Sequence, residues 1–149
     1  MTINNTTFST NSLSSGGSGA ALYRDGGTTS LNYVTFVNHV SAPTITARSN
    51  ITMNGSLFAN NGADLCQPIA SSFSGTDNFA NVADGDCAGL AIDPNVAQIN
   101  TLTSQPGEPT ATHAPLASNP VIDGMTCISG IDTDQRGEPR PVDGDGDSN

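Results

Sequence analysis

The chain has 149 residues, of which 12 % are charged and 35 % hydrophobic, against roughly 25 % and 45–50 % in an average globular domain. Lysine is absent and Ser, Thr and Asn supply 16, 17 and 15 residues, which excludes a helical bundle and favours strands and tight turns. A net charge of −10, from 14 acids and 4 arginines, excludes a nucleic-acid partner and an anionic membrane surface. No run of about 18 apolar residues is present to span a bilayer.

The first residues, Met1-Thr2-Ile3-Asn4-Asn5, have neither the basic start nor the apolar core of a signal peptide. A repeat begins at once. Ile3-Asn4-Asn5-Thr6-Thr7-Phe8 is matched by Leu31-Asn32-Tyr33-Val34-Thr35-Phe36 and by Met53-Asn54-Gly55-Ser56-Leu57-Phe58. The steps are 28 and 22 residues. Short strands are expected between the copies, at Ala20-Ala21-Leu22-Tyr23 and Ala42-Pro43-Thr44-Ile45-Thr46-Ala47. Units of this length, made of short strands and Gly/Asn corners, predict an all-β fold, a parallel β-solenoid of about three to four coils. An antiparallel sandwich is the alternative. In the solenoid, Phe8, Phe36 and Phe58 stack inside, Ile3, Leu31 and Met53 stack beside them, and Asn4, Asn32 and Asn54 form an amide ladder at a corner. The run Ser14-Ser15-Gly16-Gly17-Ser18-Gly19 lacks the following helix and basic residue of a phosphate loop, so it reads as a corner. His39 stands three residues after Phe36, where the other copies have Asn11 and Asn61, and is expected at a corner too. The aligned pair Thr7 and Thr35 meets Leu57 in the third copy, which breaks a threonine ladder of the ice-binding kind.

Charge divides the chain. Residues 1–63 carry a net +1 and residues 64–149 a net −11. We read residues 1–63 as coils, 64–142 as a last coil with a loop-rich segment packed along the stack, and 143–149 as an acidic tail.

The second half carries four ordered motifs. They are Asp84-Gly85-Asp86-Cys87-Ala88-Gly89-Leu90, Pro106-Gly107-Glu108-Pro109-Thr110-Ala111-Thr112-His113-Ala114-Pro115-Leu116, Asn119-Pro120-Val121-Ile122-Asp123, and Thr133-Asp134-Gln135-Arg136-Gly137-Glu138-Pro139-Arg140-Pro141. With the Asn-rich repeats they resemble the C-terminal part of the choice-of-anchor Q proteins, secreted bacterial proteins with right-handed parallel β-helix repeats. The resemblance covers nearly the whole chain. It implies a piece of a larger protein that is extracellular or held at the cell surface, because that family has more coils before this region and a further strand after it.

The resemblance also implies export, where disulfides persist. On that basis Cys66 and Cys87 are expected to pair and Cys127 to be left as an unpaired thiol. No Cys-x-x-Cys spacing points to zinc. His113, in the family's "THA" turn, is expected to bond Asp123 or a backbone carbonyl, and Arg136 and Arg140 to pair with acids of the tail. The catalytic candidates are His113, Asp123 and Asp134, with Asp132 nearby in sequence. Asp143, Asp145 and Asp147 alternate with glycine in a pattern that suits Ca²⁺.

The function expected from these features is a non-catalytic extracellular module, a stalk or an adhesin-like face for a carbohydrate or cell-surface ligand. The alternative is a hydrolase of an extracellular polymer or small ester, working through His113 and tail carboxylates in a cleft or at a dimer interface. An exposed first coil predicts self-association, most simply as a two-fold dimer.

Overall fold

A computed structural model describes residues 1–14, 17–62 and 64–141. The repeat spacing is a strand-pairing register. Strand β1 (Thr2–Ser9) lies parallel to β3 (Thr29–Val37), with Asn4 opposite Asn32 and Phe8 opposite Phe36. Two shorter strands, β5 (Ile51–Asn54) and β6 (Leu57–Ala59), share the far side of β3, with Met53 opposite Leu31 and Phe58 opposite Phe36. The next pair, β8 (Phe73–Thr76) and β9 (Asn78–Ala80), repeats the arrangement 22 residues later. Strand β10 (Leu90–Ile92) then lies parallel to β9. A second parallel sheet is made of β2 (Leu22–Arg24), β4 (Ile45–Ala47) and β7 (Cys66–Pro68). Its strands alternate in sequence with those of the first sheet, so they supply the crossovers that parallel pairing requires. The described residues are all-β, with one 3-10 turn at Pro94–Ala97 and no α-helix.

Three side-chain columns hold the stack. Phe8, Phe36 and Phe58 have centroids 5.3 and 4.9 Å apart, with rings nearly parallel, and Phe36 and Phe58 are fully buried. Such ring pairs add about 0.5–1.5 kcal/mol each to the burial of apolar area. Leu31 and Met53 are likewise fully buried beside them. At the corner, Asn54 Nδ2 donates to Asn32 Oδ1 at 3.3 Å and Asn32 Nδ2 to Asn4 Oδ1 at 2.9 Å. The residue after each rung bends the chain: Asn5, Tyr33, Gly55 and Asp77 all have φ between 47° and 62°. That region suits glycine and tolerates asparagine and aspartate, but is uncommon for a bulky aromatic residue. Tyr33 has φ 53°, and the reason lies in what its ring touches.

Buried asparagines replace missing backbone partners. Asn78, fully buried, accepts from Ser56 N–H at 2.9 Å and donates to the carbonyls of Met53 and Ala88. Asn61 does the same for His39 N–H and the Phe36 carbonyl. His39 is a buried corner residue. Its Nε2 donates to the Phe8 carbonyl at 3.1 Å, and its Nδ1 accepts from Asn11 N–H at 3.2 Å.

Among the described residues no further strand follows β7 in the second sheet. In place of one, the Asp84 carboxylate accepts from Leu65 N–H at 2.6 Å and Cys66 N–H at 2.8 Å. Cys87 bonds covalently to Cys66 and seals the core at that point. The disulfide implied by the family resemblance is therefore present, and Cys127 is a free, exposed thiol.

Candidate functional site

The outer face of the first sheet changes character along the stack. One outward column reads Thr7, Thr35, Leu57, Phe79, and the next reads Ser9, Val37, Ala59. Toward β6 and β9 it is apolar, and there Val96, Ile99 and Val121 pack on Val37, Leu57, Ala59 and Phe79 in a second small core. Toward β1 it is polar, and hydrogen bonds do the docking. Asn5 Nδ2 donates to the Thr133 carbonyl at 2.7 Å, and Thr7 Oγ1 to Gln135 Oε1 at 2.7 Å. Ser9 Oγ lies 2.9 Å from His113 Nε2. Leu57, which breaks the threonine ladder in the sequence, thus starts the seat for the C-terminal segment.

Tyr33 is the hub of that docking. Its hydroxyl donates to the Thr126 carbonyl at 3.1 Å and accepts from Ile128 N–H at 2.6 Å. The guanidinium of Arg140 sits 4.0 Å over the ring centroid. On the next turn Gly55 lies under the ring: a Cβ there would meet Tyr33 at 2.8 Å, and φ is +62°. The left-handed backbone of Tyr33 points the ring outward, and contacts from both ends of the returning segment hold it there.

A cleft of about 190 Å³ opens between the polar strand face and the segment. Asn5, Thr7, Tyr33 and Thr35 form one wall, and Thr112–Pro115, Asp134–Arg136 and Arg140 the other. This is smaller than the roughly 300–1,000 Å³ of a drug-sized pocket, so it takes one small group. Its charge is unlike that of the rest of the chain. Two of the 4 arginines and one of the 2 histidines line it, with one acid, Asp134.

That acid is already engaged. Asp134 Oδ2 is 2.7 Å from the Arg136 guanidinium, and Oδ1 accepts from the backbone N–H groups of Arg136 and Glu138. Burial pushes its carboxyl upward, but the Arg136 guanidinium and those N–H groups outweigh it and hold it below the ordinary carboxylate value. Arg136 therefore has the acid partner expected from sequence. Arg140 has no ion pair among the described residues, which leave out Asp143, Asp145 and Asp147; it stacks on Tyr33 and donates from Nε to the Thr133 carbonyl at 3.4 Å. A weakly hydrated planar cation is well served by a ring face and a carbonyl.

The other sequence candidates are dispersed. His113 and Asp134 line the cleft, but Asp123 is not among its lining residues. Asp132 is exposed, and its backbone carbonyl accepts from Arg140 N–H. Among the described residues no three His, Cys, Asp or Glu side chains converge in a way that could hold a metal ion. Asp143, Asp145 and Asp147 lie outside the described residues. Cys127 borders a second hollow of about 480 Å³, with Asn54, Gly55, Thr76, Asp77, Thr126 and Ile128. No helix among the described residues is long and apolar enough to cross a membrane. Sequence reasoning missed Ser9, Tyr33 and Arg140's role. Tyr33 stands where the other copies have Asn and Gly, which was the available signal.

Compared with known proteins, the chain matches no family model, no curated protein and no solved structure.

Proposed function

We propose that this chain is part of a right-handed parallel β-helix of about three to four coils, belonging to an extracellular or cell-surface protein of the choice-of-anchor Q kind, and that it is a binding module for an acidic carbohydrate. The alternation of two parallel sheets along the sequence supports the coil, and right-handed crossovers are the rule for parallel strands. The disulfide supports an oxidising compartment.

One observation carries the ligand class. Arg140, half-buried and without an acid partner among the described residues, sits over Tyr33 at the wall of a cleft that also presents Thr7, Thr35, Gln135 and Arg136. A preorganised guanidinium beside hydroxyls and an amide suits a carboxylate or sulfate on a sugar ring. The test is calorimetric titration with oligogalacturonate and with a neutral cello-oligosaccharide of equal length. Binding of the acidic oligomer alone, weakened by Arg140→Ala and by 0.5 M salt, supports the proposal. Equal binding of both oligomers, or of neither, overturns it.

The module also self-associates through β1. Among the described residues that strand has a partner on one side only, whereas β3 is paired on both, and an unpaired edge is a template for a second copy. Light scattering at micromolar concentration is expected to give a dimer mass, and a monomer would refute this.

A further inference from the structure

The contact between Ser9 and His113 docks the C-terminal segment, but its geometry is also that of a nucleophile and its base. Ser9 Oγ is 2.9 Å from His113 Nε2, and His113 Nδ1 is 2.8 Å from the Asn100 carbonyl oxygen. A carbonyl only accepts, so the ring proton sits on Nδ1. The Nε2 lone pair of the neutral imidazole then faces the Ser9 hydroxyl, the arrangement that activates a serine. The orienting carbonyl is itself fixed. Asn100 N–H donates to the Ala114 carbonyl at 2.8 Å, and Ile99 bridges to Pro115, so Asn100 and His113 face each other across a paired loop. Ser9 is fixed as well, because the residue after it is pinned by the bond from Thr10 N–H to the Val37 carbonyl at 2.8 Å. Both side chains are partly exposed, and His113 borders the cleft.

We infer that Ser9 and His113 form a hydrolytic pair acting on small, activated esters of carboxylic acids. Ser9 Oγ bonds to the acyl carbon while His113 Nε2 takes the hydroxyl proton. The bond from the acyl carbon to the leaving oxygen then breaks, and the imidazolium returns the proton to that oxygen. Water, deprotonated by the same Nε2, attacks the acyl-Ser9 ester, releases the acid and restores the serine. Thr10 Oγ1, 3.2 Å from Ser9 Oγ, is the nearest second hydroxyl, and the Thr10 N–H that could have faced an oxyanion is committed to Val37. The rate therefore rests on general-base catalysis, worth about 10²–10⁴-fold. This suffices for an ester with a good leaving group and not for an amide. The inference is independent of the acidic-carbohydrate reading, which makes no use of Ser9.

The experiment uses the full chain with p-nitrophenyl acetate and, separately, with a fluorophosphonate probe followed by peptide mapping. Expected are one adduct, on Ser9, and hydrolysis about 10²-fold faster than by Ser9→Ala. His113→Asn should fall as far as Ser9→Ala, and the double variant no further, because the two groups act as one unit. Ser118→Ala, which removes the bond to Gln98 within the same segment, should keep both rate and adduct. Should Ser9→Ala unfold, Ser9→Cys retains a hydrogen-bonding group and should move labelling to a thiol reagent at position 9. An adduct elsewhere, no adduct, or a wild-type rate in a folded Ser9→Ala chain overturns the inference.

Discussion

Between Thr2 and Ala80 the chain fully buries Leu31, Phe36, Ile45, Ile51, Met53 and Phe58, whereas the described residues after Asp93 contribute two buried side chains, Val96 and Asn119. The first region is a set of strands in fixed register. The second is a segment with isolated antiparallel bridges, laid on the outer face and held mostly by hydrogen bonds. The lesson is that the cleft lies where apolar packing stops and polar docking begins. The same segment is seated by Val96 at one end of the face and bonded by Gln135 and His113 at the other. Two units of unequal local stability are expected, with the segment opening below the global transition.

The largest effect belongs to the stack. Phe36 stacks on both Phe8 and Phe58, so Phe36→Ala leaves a cavity in the middle of the column. A loss of about 3–5 kcal/mol is expected in urea unfolding. A loss under about 1 kcal/mol would mean that the stack is not the stability core and would break the comparison. Next comes the disulfide, which closes a loop spanning 21 positions of sequence. Replacing Cys66 and Cys87 by serine should cost about 3 kcal/mol by the loop-entropy relation. Asp84 should still cap the backbone N–H groups at positions 65 and 66 in that variant, so amide exchange at those two positions in the folded state tests whether carboxylate and disulfide act separately.

The stack was legible because register and repeat are one thing. Phe8, Phe36 and Phe58 recur at the spacing at which parallel strands must align, and so do Asn4, Asn32 and Asn54. His39 stands at a corner, as its place in the repeat implied. The cleft was not legible. Ser9 and His113 are 104 positions apart, and Tyr33 and Ile128 are 95 apart, with no period to link them. Thr7, Thr35 and Leu57 looked like a broken ladder, and only the returning segment explains why the column turns apolar. Arg140 was expected to pair with an acid of the tail, whose residues 143–149 lie outside the described ones; its contact with the Tyr33 ring had no signal in the repeat.

Tyr33→Phe sharpens the comparison from the segment's side. The ring, and with it the Arg140 contact, is kept, while the bonds to Thr126 and Ile128 are lost. A cost of about 1–2 kcal/mol is expected, and it should be local. Exchange at the Ile128 amide should speed up by roughly an order of magnitude per 1.4 kcal/mol, with exchange at Phe36 unchanged. Equal acceleration at both sites would show that stack and segment open together.

The smallest effect is electrostatic, at Asp134. The Arg136 guanidinium and two backbone N–H groups of its own turn lower its carboxyl below the ordinary value despite burial. The unfolded turn therefore binds the proton more tightly than the folded one. The contribution of the pair is complete above the unperturbed value of about 3.9, and it disappears as pH falls through the lower folded-state value. Asp134→Asn should accordingly accelerate exchange at the Glu138 amide at pH 6, by an amount worth less than about 1 kcal/mol because Arg136 is solvent-exposed. At pH 2 the two chains should converge, and in neither should Phe36 exchange respond. A difference that persists unchanged at pH 2 would locate the effect in the lost carboxylate geometry instead of its charge. A response at Phe36 would tie this surface ion pair to the stack and erase the distinction between the two regions.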